Sequence, residues 1–427
     1  MSHMRVLVTG AGGFVGRAVI SRLSADCINV VALVRNSDVS IPGATTVIGD
    51  MTDPDSLAQV LTGVDAVVHL AAAKSDEQDS YAVNVSGMRN LIRACTEAGT
   101  DYIVFVSTAS VKIERKGLYA STKREAERLL EESGIPHTIL RPSVIYGDLK
   151  SGVFGALVRA ARLPVVPVFG DGLWLSWPIH VDDVACAISI ALQKELQSVY
   201  DVGGPDRVTF DEIIQGIRTD VLHRSQAIIL HIPAFLGMMA ARFFSAVTSR
   251  PPITVSNILG STQNISWDAD TFFRDFDFRP RTLAAGLQEL GRMTETSEAD
   301  IFFAYVYSRS GIRYKPSQAM RERYAYACAQ AGIGTAHPLV VRHPILIGML
   351  DAATALRSRD SGLHQRLRIA SALVETDVES AQWLLPRERR YVAIFGAAFL
   401  LGCSAVLKIV AGSCLTLIPG FLQTYGK

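Results

Sequence analysis

The chain has 427 residues, 49% hydrophobic and 19% charged, with 42 Lys and Arg against 41 Asp and Glu. That length allows two or three domains with sizeable cores, and the near-neutral balance excludes a basic nucleic-acid binder. Charge is uneven, however: residues 1–299 carry 27 Lys and Arg against 33 Asp and Glu, and residues 300–427 carry 15 against 8, so the second part suits an anionic membrane surface.

The first apolar strand, Arg5-Val6-Leu7-Val8-Thr9, runs into Gly10-Ala11-Gly12-Gly13-Phe14-Val15-Gly16 and then a helix over about 14–25. A dinucleotide suits that turn. Gly10 is expected to take the tight turn off the strand, Gly13 to let amides approach a pyrophosphate, and Gly16 to let the helix pack close to the sheet. The helix would aim its unpaired amides and positive dipole end at the phosphates. Val30-Val31-Ala32-Leu33-Val34 reads as a buried parallel strand, and its end selects the cofactor. An acid there would accept from a ribose 2′-hydroxyl; Val34 followed by Arg35 favours a 2′-phosphate, hence NADP(H), with NAD(H) the alternative.

Thr46-Val47-Ile48-Gly49-Asp50-Met51 is a short strand ending in a carboxylate, and Asp53-Pro54 starts a capped helix with proline in its first turn. Val64 to Ala73 forms a fourth strand running into small residues, which let the backbone come close to a ligand. A helix over Ser80–Ala98 holds Asn84, a strand over Tyr102–Val106 ends in Ser107-Thr108, and a helix runs from about Tyr119 to Ser133. The strand His137-Thr138-Ile139-Leu140 and the turn Arg141-Pro142-Ser143 follow, and strand and helix alternate through residue 147. This order predicts an α/β fold with a doubly wound parallel sheet.

From Ser151 the rhythm breaks. Prolines at 164, 167 and 178 and a Gly170-Asp171-Gly172 turn mark an insertion over about 151–180, and a second covers about 205–285. Both are expected to supply substrate contacts. Residues 211–222 and 226–248 read as helices, the second apolar on most faces. The nucleotide-binding domain is thus expected over 1–295 and a helical extension over 296–427, with helices at about 317–331 and 363–374. Arg387-Glu388-Arg389-Arg390 precedes seventeen uncharged residues, Tyr391 to Leu407, then Lys408 and fourteen more to Leu422. About 20 apolar residues span a bilayer, so 391–422 is read as a membrane segment whose span starts near Tyr391. A hydrophobic hairpin turning near Gly412-Ser413 is the alternative. The arginines before the run are expected on the cytoplasmic side. Six cysteines (27, 95, 186, 328, 403 and 414) have no metal or disulfide-framework spacing, and Met1-Ser2-His3 is too short and polar for a leader. A reducing, cytoplasmic setting follows.

Tyr119-Ala120-Ser121-Thr122-Lys123 puts a phenol and an ammonium four residues apart, on one helix face. A neighbouring cation favours phenolate and is expected to draw the tyrosine toward the working range. Thr108 adds a neutral hydroxyl able to orient a carbonyl or alcohol.

With these residues in order, the chain resembles the short-chain dehydrogenase/reductases of the extended or atypical kind over roughly 4–290. The matching stretches are Thr9 to Gly16, Gly49-Asp50, His69-Leu70-Ala71-Ala72, Val83-Asn84-Val85, Phe105 to Ser110, Tyr119 with Lys123, Leu140 to Gly147, and His180 to Ala185. The resemblance implies an NAD(P)-dependent oxidoreductase, epimerase or dehydratase with Thr108, Tyr119 and Lys123 as its catalytic set. It further implies that Lys123 holds the nicotinamide ribose and that Asp50 and Met51 meet the adenine. Leu70, Ala71 and Ala72 would line the cofactor, with Pro142 to Val144 bordering the nicotinamide. Nucleotide-sugar members usually place Arg four residues after the Gly-Asp-Gly turn; here Ser176 stands there, within Leu173-Trp174-Leu175-Ser176-Trp177. That stretch is more similar to the branch containing the Rossmann-like accessory subunit of respiratory complex I, where NADPH can be structural. The leading expectation is an NADP(H)-dependent reductase or dehydrogenase for a small hydrophobic carbonyl or alcohol, lipid- or quinone-like, at the cytoplasmic face of a membrane. A nucleotide-sugar enzyme and a non-catalytic NADPH-binding module are the alternatives; a homodimer or a membrane-complex partner is compatible with each.

Overall fold

Short runs of Val, Ile and Leu separated by helix starts build the core of this protein. A computed structural model describes residues 4–36, 39–73, 77–114, 116–149, 152–247, 264–310, 316–333, 336, 340–341, 343, 346–348 and 362–376. The chain divides into two compact units, Met1–Arg218 with Gln226–Leu287, and Thr219–Ser225 with Gln288–Lys427.

The first unit begins β1 (Arg5–Thr9), α1 (Phe14–Ala25), β2 (Asn29–Val34), β3 (Thr45–Ile48), α2 (Pro54–Val60) and β4 (Ala66–His69). Helix α3 (Glu77–Tyr81), a π-helical turn over Ala82–Ser86 and α4 (Gly87–Ala98) are continuous, and β5 (Tyr102–Val106) follows. A 3₁₀ turn over Ala109–Lys112 leads to α5 (Leu118–Glu131), β6 (His137–Pro142) and β7 (Ile145–Tyr146). Seven strands form one sheet in the order β11-β6-β5-β4-β1-β2-β3, every pair parallel, where β11 is Val199–Val202. The order reverses between β1 and β4, and ligands of such sheets bind outside the carboxyl ends at that reversal.

Because side chains alternate along a strand, Val6 and Val8 pack with Val19 and Ile20 of α1 on one face, and Leu7 with Leu57, Met88 and Leu91 on the other. Helix α7 (Val181–Lys194) adds Val184 and Ile188 to the first face. The α/β sheet is therefore the expected one.

The insertions hold α6 (Gly152–Ala161), β8 (Val165–Phe169), β9 (Leu175–Ser176), β10 (Ile179–His180), β12 (Val208–Thr209), α8 (Phe210–Gly216), β13 (Ile228–Ile232), α9 (Ala234–Val247) and α10 (Asp270–Phe276). They pair in twos: β7 with β10, β9 with β12, and β8 with β13. The single helix expected over 226–248 is thus a strand and a helix, split at Pro233, which lacks an amide proton and resists a helix interior. The expected helix over 211–222 passes from α8 into a π-helical turn at Ile217–Val221.

Helix α11 covers Leu283–Ser310, α12 Gln318–Gln330 and α13 Gly362–Thr376. The core of the second unit joins Phe302, Phe303, Met320, Tyr324, Leu363 and Leu367. Buried Arg366 lies 3.6 Å from buried Glu298, which also accepts from the Ala336 amide at 3.1 Å. No helix among the described residues is long and apolar enough to cross a membrane; the segment 391–422 lies outside the described residues.

Candidate active site

The glycine turn is locked to the loop after β4. Gly10 has a φ of 68°, and a Cβ there would lie 2.8 Å from the Ala71 amide nitrogen, so both backbone and space require glycine. Buried Thr9 holds the same junction: its Oγ1 accepts from the amides of Leu70 and Ala71, each at 3.2 Å, and lies 2.7 Å from His69 Nδ1. A hydroxyl accepting twice has its proton left to give, so Nδ1 is the acceptor and the imidazole is neutral. Burial, helped by the charge of Lys123, drops the His69 pKa from 6.5 to about 3.

Glycines 13 and 16 both sit against the backbone at the end of β1, Gly16 as the expected close packing of helix on sheet requires. A Cβ on Gly16 would lie 2.4 Å from the Gly10 carbonyl oxygen, and one on Gly13 would lie 3.2 Å from it, so both accommodate the turn itself. Gly12 is the glycine whose missing Cβ faces open space. Helix α1 starts after Gly13 with no side-chain cap and no acid in its first turn. Its leading amides, at Phe14, Val15 and Gly16, lack in-helix acceptors and fit an anionic group, as a dinucleotide pyrophosphate requires. The Phe14 ring reaches Gly147, 3.4 Å from where a Cβ would stand there.

Arg35, exposed, and half-buried Asp50 end the neighbouring strands β2 and β3, joined by the Gly49 amide bonding to the Val34 carbonyl at 2.9 Å. Asp50 Oδ1 accepts from the amide and hydroxyl of Thr52, both at 2.8 Å. Those bonds, with a smaller contribution from the Arg35 charge, hold its carboxyl below the usual range. The Met51 side chain is buried in the core with Leu33 and Leu57, and its carbonyl accepts from Asn90 at 3.0 Å. Leu70 and Ala71 are half-buried, and Ala72 is exposed.

Lys123, one turn into α5, is buried. Its Nζ donates to the Val106 carbonyl at 2.7 Å and sits 4.1 Å from the Phe105 ring centre, while Phe105 stacks on His69 at 5.3 Å. Burial pushes the Tyr119 phenol up to about 12, opposite to the lowering expected from Lys123. Desolvation disfavours phenolate, and the ammonium is engaged at the end of β5. Thr108 caps the following 3₁₀ turn, its Oγ1 accepting from the Ser110 amide at 3.3 Å, which leaves the hydroxyl proton to donate. Asn84 sits in the π-helical turn and bridges two walls: it accepts from the Ala73 amide at 2.9 Å and donates to the Ala73 carbonyl and to Thr122 Oγ1, both at 3.0 Å. That bridging was missed in the sequence, although Asn is a poor helix former and π turns favour functional sites.

On the far side of the crevice, buried Pro142 ends β6, and the Val144 carbonyl accepts from Ile179 at 3.0 Å. Ser176, the position where an arginine was looked for, is buried with Oγ 3.0 Å from Ser143 Oγ, which also accepts from the Trp177 amide at 3.1 Å. Trp177 stacks on Trp267 at 4.9 Å with planes 10° apart. Sequence reading named Ser143 without this partnership, which depends on β9 returning beside the end of β6. Among the described residues no cluster of His, Cys, Asp or Glu could hold a metal ion.

Residues 6–203 match the NAD dependent epimerase/dehydratase family. The 2-alkyl-3-oxoalkanoate reductase of Stenotrophomonas maltophilia is 30% identical over 216 residues, 44% of this chain and 66% of that protein, just under two thirds of its length. The N-acetyl-alpha-D-glucosaminyl-diphospho-ditrans,octacis-undecaprenol 4-epimerase of Escherichia coli O157:H7 is 28% identical over 315 residues, 66% of this chain and 92% of that protein. Among solved structures, a dTDP-glucose 4,6-dehydratase from Streptomyces venezuelae, crystallised with NAD, aligns with a TM-score of 0.53 at 23% identity. It covers 68% of this chain and 96% of its own, a likeness of fold.

Proposed function

Since residues 6–203 match the NAD dependent epimerase/dehydratase family, we propose that the chain is an NADP(H)-dependent reductase. Its substrate is a hydrophobic, lipid- or quinone-like carbonyl, or the alcohol in reverse. The observation that carries this reading is the neutral substrate wall: Ser176, buried against Ser143, occupies the place of a diphosphate-gripping arginine, beside the paired indoles of Trp177 and Trp267. A serine in that place, rather than a cation, favours an uncharged head on the substrate. The relatives' names are in keeping, since a 2-alkyl-3-oxoalkanoate is an alkyl-bearing ketone.

The dinucleotide, when bound, supplies the hydride. The protein's own part is to bind, orient and protonate. The Gly10 to Gly16 turn and the α1 amides receive the phosphates, and Leu70 to Ala72 form a backbone wall. Thr108 donates its hydroxyl proton to the substrate oxygen, a proton that its cap leaves available. Tyr119, kept protonated by burial, gives a proton to the developing alkoxide. Lys123 holds the floor of the site at the end of β5, and its positive charge favours that oxyanion.

A second reading, an epimerase acting on a lipid-linked sugar, is favoured by the 92% coverage of the undecaprenol-linked 4-epimerase. A non-catalytic, cofactor-holding role of the complex I accessory kind would give no hydride transfer at all. The test is transfer of deuterium from C4-labelled NADPH to a panel of long-chain 3-oxo esters and quinones, beside a panel of nucleotide and polyprenyl-diphosphate sugars. Label in a reduced ketone supports the proposal; epimerised sugar with no net NADPH consumption supports the second reading. Wild-type transfer by Tyr119→Phe would exclude the tyrosine, whose proton transfer is worth about 10²–10⁴-fold.

A further inference from the structure

Two hydroxyls of the substrate wall hold one proton more than their bonds use. Ser143 Oγ and Ser176 Oγ lie 3.0 Å apart, and Ser143 Oγ also accepts from the Trp177 amide at 3.1 Å. Among the described residues these are the bonds that the two side chains make. A hydroxyl has one proton and two acceptor positions, so one proton of the pair forms the bond between the oxygens and the other is left to give. Ser176 is 2% exposed and Ser143 half-buried, which puts the free proton on Ser143, the more open of the two. Ser176 and the Trp177 amide then fill both acceptor positions of Ser143. The strand that carries Ser176 is pinned from two further sides: the Trp177 carbonyl accepts from the Gly204 amide at 3.3 Å, and the Leu175 amide donates to Asn264 Oδ1 at 2.9 Å. A Cβ on Gly203, just past β11, would lie 2.6 Å from the Trp267 ring and 2.8 Å from Trp177 Cβ, so the stacked indoles are held against the same strand ends. A donor held in this way needs no reordering when an acceptor arrives.

Strand register sets this donor beside the one already assigned to the reacting oxygen. β5 and β6 pair in parallel with Val106 opposite Leu140, and the Ser107 amide extends the ladder to the Leu140 carbonyl at 2.7 Å. Carried forward, that register sets Thr108 abreast of Pro142, one residue before Ser143, on strands about 5 Å apart. Two hydroxyl donors therefore close neighbouring strands at the carboxyl end of the sheet, where ligands of such folds bind. The cations on the adjoining segments are held elsewhere, Lys112 by Asp201 at 2.5 Å and Arg141 by Glu127 at 2.7 Å. We propose that Ser143 determines specificity by donating to a second, uncharged oxygen of the substrate, which makes the substrate class a 1,3-dicarbonyl: an alkyl-bearing 3-oxo ester, thioester or amide. This rests on the reductase reading, in which Thr108 takes the oxygen of the carbonyl being reduced. Ser143 takes the oxygen of the carbonyl beyond the intervening carbon. A carboxylate brought there would be desolvated against serines and indoles, and a simple ketone would leave Ser143 without an acceptor. Sites built around such a donor discriminate against the analogue that lacks its partner.

The experiment measures kcat/KM at saturating NADPH for a long-chain 3-oxo methyl ester and for the ketone of equal length with the ester replaced by alkyl. The full chain is compared with Ser143→Thr and with the Ser143→Ala, Ser176→Ala double variant, which also removes the proton that Ser176 could turn to the substrate once Ser143 is gone. Comparing the ester-to-ketone ratio between enzymes cancels both the intrinsic reactivity of each carbonyl and the fraction of each variant that folds. The ratio should fall by about fivefold or more in the double variant, the loss of one hydrogen bond, and should be largely kept by Ser143→Thr, which retains the hydroxyl. An unchanged ratio in the double variant, with both compounds still reduced, overturns the inference and leaves the reductase reading standing. So does a loss of NADPH affinity with the ratio unmoved, because the proton would then serve the cofactor. A wild type that reduces quinones but neither of these compounds also overturns the inference alone, whereas one that transfers hydride to no carbonyl removes the reading as well.

Discussion

At the scale of single residues, burial sets the protonation of this site more than neighbouring charge does. Tyr119 is held protonated up to about pH 12, so as a proton donor it should support reduction at a constant rate across neutral pH, with loss only on the alkaline side. An acidic or neutral limb that persists in Tyr119→Phe must come from another group. His69 titrates in the opposite sense. Its folded pKa of about 3 lies below the ordinary 6.5, so between these values the unfolded chain takes up a proton that the folded chain refuses. The stability contribution is complete above about pH 6.5 and declines by about 1.4 kcal/mol per unit as pH falls toward 3. Unfolding free energies from urea titrations at pH 7.5 and 5.0 should therefore differ by about 2 kcal/mol more in the wild type than in His69→Asn; equal differences would show that His69 does not govern acid sensitivity. Arg35 is the residue proposed to favour NADP(H) over NAD(H). Arg35→Ala should weaken NADPH by about tenfold or more and leave NADH nearly unchanged, since a charged hydrogen bond is worth about 1.5–3 kcal/mol. Titration of both cofactors checks this, and a wild type without preference would remove the role. The Tyr119–Lys123 spacing was legible in the sequence because both lie within one helix, whereas the direction of the tyrosine shift was not, because burial of the phenol arises only in the folded chain.

At the scale of elements, a buried ion pair sets where α5 lies against the sheet. Arg141 on β6 donates to both carboxylate oxygens of fully buried Glu127 on α5, at 2.9 and 2.7 Å, and Arg124 reaches the same carboxylate at 2.7 Å. These bonds outweigh desolvation and hold the Glu127 carboxyl below its usual range. Arg141→Ala would leave a buried carboxylate with one cation and should cost about 2–4 kcal/mol, somewhat less than an uncompensated charge. Because α5 also carries Tyr119 and Lys123, turnover should fall with it. Arg141→Ala with Glu127→Leu should recover most of the stability, and a double variant no more stable than the single would argue against the pair as the cause. The alternating strands of the sheet were readable as apolar runs, each closed by a turn residue. The run Ala227-Ile228-Ile229-Leu230-His231-Ile232 was not, because an apolar run that short fits strand or helix equally. Pro233 marked the boundary, and the partner that settles the choice, β8, lies about sixty residues earlier.

At the scale of the whole molecule, the chain pairs an acidic nucleotide-binding part with a basic, greasy end, and that end implies two kinds of membrane attachment. Attraction of its charge alone would be peripheral: each basic residue near an anionic surface is worth about 1 kcal/mol, and 1 M salt shortens the screening length to about 3 Å. Residues 391–422, read from the sequence as a membrane segment, would attach differently in kind, because an apolar span is not displaced by salt. Arg387, Arg389 and Arg390 directly precede Tyr391, and such clusters tend to stay on the cytoplasmic side of a span, which would leave the nucleotide-binding part on that side. The full-length protein is therefore expected to pellet with membranes and to resist both high salt and alkaline carbonate. A chain ending before Arg387 should leave the membrane fraction as salt is raised. Extraction of the full-length protein by carbonate, or its recovery in the supernatant without detergent, would show that 391–422 does not span, and charge attraction would then have to account for any membrane binding.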